Sequence, residues 1–208
     1  MQTIIYQQET VTPSKVVCVG RNYAKHIAEL NHQNTGDMVI FIKPNSAISQ
    51  LLQASQKECA QAIHYEAELC FVVENNALAG VGFGLDLTKR ELQGDLKAKG
   101  LPWVRAKGFD GAAVFSEFIA LNDDIAVADL SIELWINQQR RQKGGVSDML
   151  FSPEAVLADV TRFMTLENGD VIMSGTPEGV GVVLRGDEFV GRVFYQNTLL
   201  TEMLWLAQ

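Results

Sequence analysis

The stretch IHYEAELCFVV, residues 63–73, constrains this chain more than any other. It is apolar and rich in β-branched and aromatic residues, which suits an extended strand, yet it carries two glutamates one residue apart. Side chains alternate along a strand, so His64, Glu66, Glu68 and Cys70 share one face, and Ile63, Tyr65, Ala67, Leu69 and Phe71 share the other. The second face reads as core. On the first face, two like charges about 7 Å apart repel each other, and burying them unpaired is costly. Two readings are open: the acidic face meets solvent, where such pairs are common, or a divalent cation gathers the carboxylates.

A second strand is predicted over 80–87 (GVGFGLDL), with Asp86 on the face opposite Phe83, Leu85 and Leu87. Glycines at 80, 82 and 84 predict close backbone approach or a bulge. Asp86 is either a turn-forming residue at a strand end or a third carboxylate beside Glu66 and Glu68. The latter arrangement would be an all-oxygen site, better suited to Mg²⁺ or Mn²⁺ than to zinc.

Elsewhere, short apolar runs at 15–19, 39–42 and 132–137 read as strands. Asn22 can cap a helix over 23–30, and Thr88 with Glu91 has capping-box spacing for a helix that Gly100 ends. Ser152-Pro153 starts another helix, with Val156, Leu157, Val160, Phe163 and Met164 at helical spacing. From Gly169 on, short strands and Gly-rich turns return. The mix is α+β, with more strand than helix and no βαβ rhythm. No dinucleotide fingerprint or phosphate-binding loop is found. A single domain over 1–208 is expected, long enough to bury a sizeable core.

Charge narrows the partners. With 25 acidic and 17 basic residues the net charge is −8, which argues against broad nucleic-acid binding. No apolar run approaches the roughly 18 residues that cross a bilayer. The opening MQTIIYQQET has no signal-peptide pattern, and Cys18, Cys59 and Cys70 have no zinc spacing, so a reduced, cytoplasmic protein is expected.

Three further groups could carry chemistry. His26 and Glu29 lie i, i+3 on the first helix: a carboxylate that orients an imidazole for general-base work, or a surface contact. Arg105 and Lys107 alternate along what reads as an extended segment, either to hold an anion or to guard a strand edge. The turn SGTPEGVG, 174–181, offers N–H groups and the Thr176 hydroxyl to an anion.

Taken in order, the blocks VGRNYAKHIAEL (19–30), FIKPNSAI (41–48), IHYEAEL (63–69), GLDLTKRELQ (84–93), GLPWVRAKGFDG (100–111), LWINQQRRQKG (134–144), SDMLF (147–151) and SGTPEGVG (174–181) resemble the fumarylacetoacetate hydrolase family. The likeness is to its short members that act as acylpyruvate hydrolases or oxaloacetate decarboxylases. The resemblance implies a Mg²⁺ or Mn²⁺ site at Glu66, Glu68 and Asp86, a catalytic His26–Glu29 pair on a segment that closes over substrate, and Lys107 as active-site lysine. It also implies substrate contacts at Arg21, Arg90, Gln93 and Thr176. The substrate would be a small anionic 2-oxo acid, cleaved by hydrolysis or decarboxylation. Isomerisation or decarboxylation of a 2-hydroxy-dienedioate in aromatic-ring breakdown, or a member without catalysis, would be the alternative. The fold implied is a mixed β-sandwich roll with peripheral helices, as a homodimer. A polar loop over 31–37 would serve as the lid.

Overall fold

A computed structural model describes residues 1–24, 36–56 and 61–208. Among these residues strands dominate. They run in chain order as β1 (Ile4–Tyr6), β2 (Glu9–Val11), β3 (Lys15–Gly20), β4 (Val39–Pro44), β5 (Ile63–Tyr65), β6 (Ala67–Glu74), β7 (Ala77–Asp86) and β8 (Thr88–Lys89). There follow β9 (Ala113–Phe115), β10 (Ile119–Ala120), β11 (Leu130–Ile136), β12 (Gln139–Gly145), β13 (Val171–Met173), β14 (Gly181–Val182), β15 (Glu188–Tyr195) and β16 (Thr198–Leu206). The α-helices here are α1 (Arg90–Ala98), α2 (Val104–Lys107) and α3 (Pro153–Val160). None is long and apolar enough to cross a membrane.

A seven-stranded sheet in the order β10-β7-β6-β13-β3-β4, with β9 also on β7, forms the centre. It is antiparallel except where β13 runs parallel to β3. One face packs on a four-stranded antiparallel sheet, β12-β11-β15-β16. There Leu69, Phe71, Val73, Phe83 and Leu85 meet Ile132, Leu134, Phe189, Val193 and Trp205. The opposite face is also buried, with Cys70, Val72, Val16 and Cys18 under Ile4, Tyr6, Phe115 and Phe118. This is the expected α+β class, a curled sandwich.

Burial on both faces corrects the solvent-facing option for the acidic strand. Cys70 and Val72, in phase with Glu68, lie in core, and β6 is buried along nearly its whole length. The expected single strand over 63–73 also breaks at Glu66. β5 leaves the central sheet to pair with β8 and β14, while β6 pairs with β7 and β13. The glycines of β7 serve both anticipated purposes. A Cβ at Gly82 would lie 2.9 Å from the Phe118 ring, and the β6–β7 register shifts between Val72 and Val73, opposite Gly80.

Other local expectations fare unevenly. Ser152 caps α3, its Oγ accepting from Ala155 N at 3.2 Å, with Pro153 in the first turn. The hairpin β11–β12 turns on Asn137 and Gln138, both at positive φ. The helix after residue 88 forms as α1, but Lys89 stands at its N-cap and no side chain caps it. Helix α3 ends at Val160, so Phe163 and Met164 fall beyond it and Phe163 is exposed.

Candidate metal and 2-oxo acid site

The register of β6 and β7 converts sequence spacing into a cluster. Ala67 pairs with Leu85 and Glu68 with Gly84, and Asp86 N donates to Glu66 O at 2.8 Å. Glu66 and Asp86 are therefore cross-strand neighbours, and Glu68 lies two residues along the same face. One carboxylate oxygen from each of Glu66, Glu68 and Asp86 lies within 4.8 Å of the others. All three residues are buried, Glu68 and Asp86 at 1% exposure. The strands thus bring Asp86 to the two glutamates that strand alternation put on one face, and the turn-forming alternative for Asp86 falls.

Three cations answer them. Lys107, from α2, donates to Asp86 Oδ2 at 2.6 Å, to Glu66 Oε2 at 2.9 Å and to Thr88 Oγ1 at 2.7 Å. Lys43, wholly buried on β4, lies 2.7 Å from Asp86 Oδ1 and also donates to the carbonyls of Lys107 and Leu87. Arg90, at the start of α1, pairs with Glu66 Oε1 through Nη2, and its Nη1 donates to Gln93 Oε1 at 2.9 Å. Glu68 is held differently, by the backbone N–H of Gly175 at 2.7 Å from its Oε2. The Gly-rich turn thus directs an N–H at a protein carboxylate.

The expected extended segment around Lys107 is instead the short helix α2, and the structure separates the pair expected to act together. Lys107 is buried in the cluster while Arg105 is exposed. A helix places these two side chains about 200° apart, whereas a strand would align them. Thr88 is not a cap; its hydroxyl accepts from Lys107 and donates to Asp86 O at 3.1 Å. His26, Glu29 and residues 31–35 of the expected lid lie outside the described residues.

Residues 15–201 match the family described as fumarylacetoacetate (FAA) hydrolase, C-terminal. This chain belongs to the fumarylacetoacetate hydrolase family. It is 37% identical over 204 residues to an oxaloacetate tautomerase of Escherichia coli (strain K12), covering 92% of this chain and 93% of that one. In fold it is similar to fumarylpyruvate hydrolase from Pseudomonas aeruginosa, solved in complex with Mn²⁺ and pyruvate. The TM-score there is 0.86 at 26% identity, over 100% of this chain and 96% of the other. It is also similar to 2-hydroxyhepta-2,4-diene-1,7-dioate isomerase from Mycobacterium marinum, with a TM-score of 0.76 at 28% identity, over 95% and 75% of the two chains.

In this member of the family the electrostatics of the cluster are set by burial. Burial, then the charges of Asp86 and Glu66, push the Glu68 carboxyl well above the usual range, against the pull of Gly175 N–H and Lys107. Burial alone would lower Lys107, but Asp86 and Glu66 outweigh it and hold the ammonium above its ordinary pKa. Lys107 is therefore a fixed positive charge at neutral pH. Asp86 is flanked at both oxygens, by Lys43 at Oδ1 and by Lys107 at Oδ2. Three buried carboxylates converging within 4.8 Å, one of them pushed well up in pKa by burial and by its acidic neighbours, are a fitting donor set for a hard divalent ion.

A second cationic group adjoins the first. Arg21 adopts left-handed backbone at φ +60°, and its Nε, like Arg90 Nε, is buried with no hydrogen-bond partner among the described residues. Lys97 lies 4.8 Å above the Trp103 ring, and burial with the charges of Arg21 and Arg90 lowers its pKa to about 8. Arg21, Arg90 and Lys97 are thus near enough to act on one another electrostatically, and Arg90 pairs with Glu66. Gln93 is buried against Arg90, and Thr176 is buried on the turn that holds Glu68.

Lys43, Lys97, Thr88 and Gln142 escape a sequence reading. Lys43 had a usable signal: it shares the strand face of Val39 and Phe41, where a lysine has no reason to be unless it is paired. Gln142 had only its place in a strongly polar strand.

Proposed function

We propose that this protein is a divalent-metal-dependent enzyme that processes a small 2-oxo carboxylate by way of its enolate. The observation that carries the reading is the convergence of buried Glu66, Glu68 and Asp86, with the charged end of Lys107 bonded to Glu66 and Asp86. Glu66, Glu68 and Asp86 would hold Mg²⁺ or Mn²⁺, which when bound supplies Lewis acidity to the 2-oxo group. Lys107 adds fixed positive charge where negative charge develops on that oxygen, and the buried setting makes the charge effective. Arg21, Arg90 and Thr176 would receive the substrate carboxylate, with Gln93 fixing the Arg90 guanidinium.

Proton transfer at C3 interconverts the keto and enol forms of oxaloacetate through its own enolate, and loss of CO₂ from C4 leaves the electron pair in the enolate of pyruvate, which takes up a proton at C3. Hydrolysis of an acylpyruvate adds an attacking water, for which His26 and Glu29 are the proposed base. The tautomerase relative supports the first reaction and the fumarylpyruvate hydrolase neighbour the last. Isomerisation of a hydroxy-dienedioate is the second reading, favoured by likeness to the M. marinum enzyme. We place the enzyme in the cytoplasm as a homodimer.

The test is a substrate panel of oxaloacetate, an acylpyruvate and a 2-hydroxy-dienedioate, each assayed with chelator and then with Mg²⁺ or Mn²⁺ restored. Turnover that vanishes in chelator and returns with metal supports the reading. Undiminished turnover in chelator removes the carboxylate cluster from the mechanism.

A further inference from the structure

We propose that Gln142 is a positioning residue that fixes the polarity of the Thr176 hydroxyl, so that Thr176 turns its proton toward the substrate carboxylate. The inference rests on the reading of the site as one for 2-oxo carboxylates. It adds a residue from the other sheet, to which no role has yet been attached.

Gln142 is buried at 1% exposure within an otherwise polar strand. A bulge sets it there. Leu134 pairs with Gln142 but Trp135 pairs with Arg140, leaving Arg141 unpaired. The extra residue turns Arg140 outward, where it meets Glu133, while Gln142 stays inward. The 176–179 turn is seated on the same bulge, for Gly179 at φ +96° packs on the Arg141 carbonyl, where a Cβ would collide.

The amide then spans two catalytic segments. Its Oε1 accepts from Ala67 N at 3.0 Å, the backbone link between Glu66 and Glu68. Its Nε2 donates to Pro177 O at 2.8 Å and to Thr176 Oγ1 at 2.9 Å. The orientation is forced from both ends, because a peptide N–H can only donate and a peptide carbonyl can only accept. Both amide protons are thereby committed, one of them to Thr176. The hydroxyl is an acceptor toward Gln142 and must donate elsewhere. Among the described residues its acceptor is Pro177 O, 3.4 Å away, a long and weak bond. Its proton is ready for a better acceptor, and a carboxylate is one.

The experiment is a double-mutant cycle on the metal-loaded enzyme, reading KM and kcat for whichever 2-oxo acid it turns over. Gln142→Met and Thr176→Val should each raise KM by roughly tenfold or more, with a smaller change in kcat. The double variant should be no worse than Thr176→Val, and Thr176→Ser should stay close to wild type. Effects that multiply in the double variant, or a Gln142→Met enzyme with unchanged KM, would overturn the proposal. Should Gln142→Met not fold, Gln142→Glu serves: its carboxylate accepts the Thr176 proton, so an unchanged KM overturns the proposal and a raised KM supports it. Should neither fold, Thr176→Val decides, since an unchanged KM there leaves no hydroxyl to position. A wild type inert toward every 2-oxo acid refutes the parent reading, and this one with it.

Discussion

Lys107 Nζ donates a 2.6 Å hydrogen bond to Asp86 Oδ2, so the cation of a four-residue helix is locked to the end of the longest strand in the central sheet. The bond is buried, and the ammonium stays charged because Asp86 and Glu66 outweigh its desolvation. In the proposed reaction its work would be electrostatic. Lys107→Met should lower kcat by about two orders of magnitude or more, the scale seen when a preorganised charge donor is removed. Lys107→Arg should recover little, because a planar fork cannot replace three donors converging from one nitrogen. Steady-state kinetics with bound substrate check both.

Removing an acid from the cluster does different things at different positions. From the sequence alone, three mutually repelling carboxylates suggest that deleting any one relieves strain. The structure changes that expectation, because Asp86 faces both Lys43 and Lys107. Asp86→Ala, like Lys43→Met, leaves a buried charge uncompensated and should cost about 3–5 kcal/mol in urea unfolding of metal-free protein.

Glu68 should behave in the opposite way. Its folded pKa is raised, first by burial and then by Asp86 and Glu66, so the folded state binds its proton more tightly than the unfolded state does. Its contribution to stability is therefore lost as pH rises from the ordinary carboxylate range through the raised value. Metal-free Glu68→Gln should melt above wild type at pH 8, with the gap closing toward pH 4. A variant that melts lower at pH 8 contradicts this. Metal affinity of the wild type should rise over the same window, since the proton must leave before a cation enters.

Asp170 has the reverse sign. Burial would raise its pKa, but bonds from Lys15 Nζ and from the backbone N–H groups of Glu167 and Lys15, together with Ser14, prevail and lower it. It ties the start of β3 to the turn before β13. Asp170→Asn should cost roughly 2–4 kcal/mol at neutral pH. That cost should shrink as pH falls below the ordinary 3.8 and through the lowered value, and chemical denaturation at pH 7 and pH 3 checks it.

Strand alternation made Glu66 and Glu68 legible as a pair, because a period of two needs no tertiary knowledge, while the family blocks joined Asp86 to them across the β6–β7 pairing. The family blocks carried the sandwich and Lys107. What stayed hidden was decided at long range. Thr88 has good capping spacing, but Lys107, 19 residues away, claims its hydroxyl. Lys107 reads as strand until the helix of Trp103-Val104-Arg105-Ala106 closes beneath it. Lys43 and Gln142 reach the site from a distant strand and from the second sheet, so no window around the acids contains them.

The most direct test is a calorimetric titration of metal-free protein with Mn²⁺, with and without oxalate, for wild type and Glu68→Gln. The cluster already sets Lys43, Lys107 and Arg90 against its three carboxylates, so an anionic chelator should strengthen uptake of a dication. Wild type should take up one Mn²⁺ per chain, more tightly with oxalate, and the variant should lose it. Uptake that is absent from wild type, or that survives unchanged in Glu68→Gln, would contradict it.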